Sequence, residues 1–194
     1  MSFFGDVPEP DHRVVWREER TREPDWTGPP ENAIGATTAI DFVLVNTGDV
    51  AVAVAGMTSY PTGVSFSVHL VLREPDYDED LAAPFFRPGG RNGGFRFGVA
   101  FADGRKATGD AERGRDAIVL TQRGGGGGGA TWDQSFWLWP LPPPGPLTFA
   151  CEWPARGIAE TVHSVDSAPI REAAERAVEL WPDDRPVAEY DQEW

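Results

Sequence analysis

The sequence predicts a mainly β protein: an antiparallel β-sandwich, immunoglobulin-like in outline, with one C-terminal helix. Three observations carry that expectation. About seven short runs alternate apolar and polar residues with a period of two, the spacing of strands that bury one face. Turn-forming residues separate those runs, and the chain is rich in them, with 22 Gly and 18 Pro among 194 residues. Helical periodicity occurs once, close to the C-terminus.

Residues 1–33 read as an extended, proline-rich N-terminal arm punctuated by Pro8, Pro10, Pro24, Pro29 and Pro30. Val14, Val15 and Trp16 suit a short edge strand. Trp26, just before Gly28-Pro29-Pro30, is placed to pin the arm onto the domain, since a covered aromatic buries about 150–250 Å². The sandwich domain is expected over 34–182. Ile40-Asp-Phe42-Val-Leu44-Val opens the β pattern, Asn46-Thr-Gly48-Asp49 supplies a turn, and Val50-Ala-Val52-Ala-Val54-Ala alternates large with small. The cleanest strand is Val64-Ser-Phe66-Ser-Val68-His-Leu70-Val-Leu72. Its even positions are apolar, while Ser65, Ser67 and His69 lie opposite. Short connections make these three strands an antiparallel meander.

Residues 73–94, with Pro75, Pro84, Pro88 and several glycines, read as a long loop. Phe95-Arg-Phe97-Gly-Val99-Ala-Phe101 resumes the alternation, Asp103-Gly104 is a hairpin turn, and Ile118-Val-Leu120 forms a short strand. Six glycines, Gly124 to Gly129, then lead into a run carrying Trp132, Phe136, Trp137 and Trp139. Glycine's conformational freedom makes that run a flexible hairpin connection. Pro140-Leu-Pro-Pro143 has the form of a PxxP ligand but suits a rigid connector to the next alternating run, Leu147 to Trp153. The helix is expected over about 168–181, where Ile170, Ala174, Ala177, Val178 and Trp181 share a face. Asp166 or Ser167 caps it, Pro169 fits its first turn and Pro182 stops it. Residues 183–194 read as an acidic, disordered tail.

Charge and cysteine usage exclude several function classes. Against 31 Asp+Glu the chain sets only 17 Lys+Arg, a formal charge of -14. Such a field repels nucleic acid and anionic membranes, and no Lys/Arg cluster offsets it. Cys151 is the single cysteine, so no intramolecular disulfide can form and a thiolate zinc site within one chain lacks ligands. The N-terminal MSFFGDVPEPDH has no basic region followed by a long apolar run, and no stretch approaches the roughly 18 apolar residues of a membrane helix. The expectation is a cytoplasmic protein with no cofactor and no metal.

Motifs that would carry chemistry are incomplete. After the glycine run come Ala130, Thr131 and Trp132, where a Walker loop needs lysine and a hydroxyl. Asp76-Tyr-Asp78-Glu-Asp80 opens like a calcium loop, but Leu81 stands where glycine is needed and Arg87 where a bidentate glutamate is needed. His12, His69 and His163 form no metal-binding pair. Ser67 and His69 share a strand face, without a G-x-S-x-G elbow or an orienting acid in view. Cys151 alternates with Phe149 and Trp153 and reads as a small buried residue, so no catalytic residue is assigned. The candidate binding residues are Trp137, Trp139 and Trp132. Trp137 and Trp139 share a face opposite Phe136 and Leu138, an arrangement suited to an aromatic platform that stacks a sugar or anchors a partner. The competing reading is that the arm or the helix covers them.

FADGRKA (101–107), the glycine run, WLWPLPPPGPL (137–147) and CEWPARGIAET (151–161) together resemble a family of uncharacterised proteins of high-GC Gram-positive bacteria. The likeness spans roughly 30–182 and implies no activity, substrate or catalytic residue. From the residues themselves the expected function is a non-enzymatic protein-interaction or structural module of a cytoplasmic assembly. It would use the tryptophan face or add a partner strand at a sheet edge. Two alternatives are a carbohydrate-binding module using the tryptophans and a hydrolase built around His69 and scattered acids.

Overall fold

A computed structural model describes residues 21–75, 94–108 and 118–188. The strands are β1 (Ala33–Ile34), β2 (Ala36–Thr37), β3 (Phe42–Asn46), β4 (Val50–Tyr60), β5 (Gly63–Leu72), β6 (Arg96–Ala100), β7 (Lys106–Thr108), β8 (Val119–Gly128), β9 (Thr131–Trp139), β10 (Pro146–Trp153), β11 (Ile158–Asp166) and β12 (Val178–Glu179); a 3-10 turn (Pro154–Arg156) joins β10 to β11, and among the described residues there is one α-helix, α1 (Ala168–Glu175). They form an antiparallel β-sandwich. The large sheet has the order β2-β4-β5-β9-β8, with β3 also pairing β4; the small sheet runs β11-β10-β6-β7. A separate two-stranded ladder joins β1 to β12.

Period-two alternation explains the layering. Along β5, Val64, Phe66, Val68, Leu70 and Leu72 are buried, and they face Phe97, Val99, Phe149, Cys151 and Trp153 of the small sheet across one core. Phe66 is the hinge of this packing: it stacks on Phe136 at 5.6 Å and meets Phe149 edge-on at 5.5 Å. Phe97 closes the group against Phe136 at 5.2 Å. Burying each such ring stabilises the fold by roughly 1.5–3 kcal/mol. The expected meander is present, as β3, β4 and β5 are consecutive antiparallel neighbours.

Several local expectations change. The six glycines are not a loose connection: Gly124–Gly128 belong to β8, Gly124 lies in a bulge and Gly125–Gly128 pair with β9, and the turn falls on Gly129 (φ 63°) and Ala130. Helix α1 ends at Glu175 rather than Trp181. Its buried residues are Ile170, Ala173 and Ala174. Beyond it Val178 pairs with Ile34 in an extended ladder, and Leu180 N–H donates to Asn32 O, so backbone pairing with the N-terminal segment replaces the last helical turn. Trp181 is consequently 59% exposed. Tail residues up to 188 contact the arm: Arg22 pairs with Val187, and Arg185 bonds Asp183 and Glu31. The connector between β9 and β10 is held by the helix start, because Ser167 Oγ donates to Pro143 O at 2.7 Å and Arg171 Nη1 to Pro142 O at 3.1 Å. The readings placed on Val14–Trp16, His12, the acidic run at Asp76–Asp80 and the last six residues lie outside the described residues.

Candidate functional site

The strand registers place Trp137, Ser67 and His69 on the outer face of the large sheet, in cross-strand rows, and Trp132 on the inner face opposite Leu70. One row is Ser65–Trp137–Thr121, the next Ser67–Ser135, then His69–Asp133–Gly126, and last Val71–Thr131–Gly128. Ala51, Ala53 and Ala55 of β4 continue these rows on the other side of β5.

One half of this face is closed. Trp137 is fully buried. Its Nε1 donates to Asp25 O at 2.9 Å, and Tyr60 meets the ring edge-on at 5.7 Å. Gly63 makes room for it, since a Cβ there would lie 2.7 Å from the indole. Arg123 fastens the arm, with Nη1 donating to Thr27 O at 2.9 Å while Gly28 packs on its guanidinium. The three tryptophans do not form a shared platform. Trp137 lies beneath residues 25–28, and Trp139 is half-buried at the end of β9 opposite Val119. Trp132 is half-buried against the core, and its ring edge reaches Gly125 on the inner side of the sheet.

The other half is open and polar. His69 Nδ1 is in close contact with Asp133 Oδ1, and Ser67 Oγ lies 3.3 Å from Ser135 Oγ. An imidazole oriented by a carboxylate is the core of a general-base pair, and the orienting acid missing from the sequence reading is Asp133. Acyl-transfer chemistry further needs a nucleophile on the imidazole and donors aimed at the developing oxyanion. Here Ser67 pairs across the strands with Ser135. β5 is laddered on both sides, so its amides lie in the sheet plane rather than projecting from it. The other reactive side chains are occupied by packing. His163 stacks on Phe42 at 4.2 Å. Burial, with the charge of Glu152 adding to it, pushes the Cys151 thiol up to about 12 and keeps it neutral. Among the described residues no group of three or more His, Cys, Asp and Glu could hold a metal ion, and no helix is long and apolar enough to cross a membrane. A polar cleft of about 270 Å³ between arm and tail is lined by five carboxylates and two guanidiniums, with Arg22 paired to Asp25 and Arg185 bridging Asp183 and Glu31.

Beside the open half lies β8, which ends the strand order and has no partner on its outer side among the described residues. Its glycines fall into two sets. A Cβ on Gly125 would lie 2.7 Å from Gln134 Oε1, and one on Gly127 would lie 2.7 Å from Trp132 Cα. Those two positions require glycine for close packing against β9. At Gly124, Gly126 and Gly128 a Cβ would meet nothing within 4 Å, and φ is outside the left-handed region. Neither backbone geometry nor packing among the described residues requires glycine there. Gln134, 1% exposed, donates through Nε2 to Gly124 O and Ser135 O, while its buried Oε1 has no partner. Compared with known proteins, the chain matches no family model, no curated sequence and no solved structure.

Proposed function

We propose that this chain is a non-enzymatic protein-interaction module that takes up a partner segment by strand addition. The observation that carries the reading is the edge of the large sheet at Gly124–Gly128, where β8 ends the strand order and carries no side chains. An unpaired edge presents a row of N–H and C=O groups, and folded proteins ordinarily blunt such edges with charges, proline or bulges. β8 has one bulge, between Gln122 and Gly125, and beyond it the strand carries no charge or proline and no partner strand lies on its outer side among the described residues. The long edge strand of the small sheet, β11, differs: it carries Glu160, His163 and Asp166. Main-chain pairing supplies affinity in this mode, and neighbouring side chains supply selectivity.

The test is capture from native-source lysate by the immobilised full chain, against a Gly126→Lys/Gly128→Lys variant. The substituted positions face open space, so the variant should keep the wild-type melting temperature. A protein held by the wild type and lost by the variant supports the reading. Capture of no protein by either chain, or equal capture by both, speaks against it.

A further inference from the structure

We propose that the β8 edge selects an extended peptide carrying an arginine or lysine, whose side chain crosses Gly126 to reach Asp133. A hydrogen-bond donor on the adjacent guest residue would pass Gly125 to reach Gln134 Oε1. This rests on the strand-addition reading and adds the chemistry of the partner.

The register makes the argument. Gly126 is opposite Asp133 and Gly125 is opposite Gln134, so the two acceptors point to opposite sides of the sheet at neighbouring positions. A guest strand would lie one spacing of about 4.8 Å beyond β8, and thus about 10 Å from β9. Any side chain on Gly126 would stand between the guest and Asp133. Without one, an extended basic side chain spans the distance and lies flat on the glycine backbone. Asp133 is 61% exposed, and His69 engages only its Oδ1, which leaves Oδ2 for an incoming cation. On the inner side, Gln134 Oε1 projects into the slot where a Cβ of Gly125 would sit, and it is buried and unpartnered. A buried acceptor without a donor costs roughly 1–3 kcal/mol, and a guest threonine or serine hydroxyl would satisfy it. The formal charge of -14 favours a basic guest and opposes a second copy of this acidic chain at the same edge.

The probe is a capped, extended peptide with a central arginine flanked by threonines, titrated into the full-length chain. Affinity is read by anisotropy, and edge pairing by amide hydrogen exchange at Gly124–Gly128. The expected result is binding that protects the glycine amides and weakens about three- to fivefold when glutamine replaces the arginine, the range of an exposed ion pair. The same loss is expected in Asp133→Asn and in Gly126→Val. If arginine and glutamine peptides bind equally and both protect the glycines, strand addition stands and the basic selectivity is overturned. No binding, with the glycine amides exchanging freely, overturns both. Protection that grows with protein concentration in the absence of peptide would assign the edge to a second copy and overturn the proposal.

Discussion

The outer face of the large sheet divides into two halves that obey different rules. Around Trp137 the face is roofed: Asp25, Thr27 and Gly28 lie on it, Tyr60 closes one side, and the indole N–H has its acceptor. Around His69 and Asp133 the same strands carry short polar side chains with no roof among the described residues, and the glycine edge continues that half outward. A sheet face becomes core wherever a large apolar ring demands cover, and remains surface where alanine, serine and glycine demand none. Substitutions on the two halves should therefore differ in kind.

The largest effect is expected from Trp137→Ala. It opens a cavity under the arm and leaves Asp25 O without its donor, and should cost about 3–5 kcal/mol in denaturant unfolding. It should also release residues 24–28 to protease. An unchanged unfolding midpoint would mean that the arm does not roof this half. Next comes Cys151, held in the core at 3% exposure with its thiol pushed up to about 12. It should resist alkylation at pH 8 in the native chain and react fully once unfolded, as followed by intact mass. Rapid native labelling would contradict its burial.

A smaller, pH-dependent effect belongs to the link between arm and tail. The hydrogen bond from Arg185 holds the Asp183 carboxyl below its ordinary value of 3.8, to about 2. Because the folded value is the lower one, the stabilisation is complete above about pH 4 and disappears as the pH falls through 2. In Arg185→Ala, carboxyl-detected NMR should find Asp183 titrating closer to 3.8. The smallest effect is expected on the open half. His69→Ala should change stability by no more than about 0.5 kcal/mol, as for other exposed positions. A loss of several kcal/mol would show that this half is roofed as well.

The layered β fold was legible because period-two alternation writes burial directly into the residues, most clearly from Val64 to Leu72. Register was not legible. Asp133 stands 64 residues from His69, and only the β5–β9 pairing brings them together. The tryptophan platform failed for a related reason. Alternation correctly put Trp137 opposite Phe136, but the cover comes from a proline-broken segment with no periodicity to announce its docking. For the glycine run, local propensity favoured a loose connection, whereas pairing with β9 imposes a strand. At the end of α1 the helical stripe through Val178 and Trp181 was real in sequence, yet extended pairing with Ile34 prevailed over it.

The most direct test of the central claim, that β8 is a glycine edge packed on one side and open on the other, sets Gly126→Val beside Gly127→Val in denaturant unfolding. Valine at 126 enters open space with ordinary φ and should leave stability within about 0.5 kcal/mol of wild type. At 127 it would collide with the β9 backbone at Trp132 and should cost about 1–3 kcal/mol. Equal losses, or the reverse order, would contradict the register and the free edge built upon it.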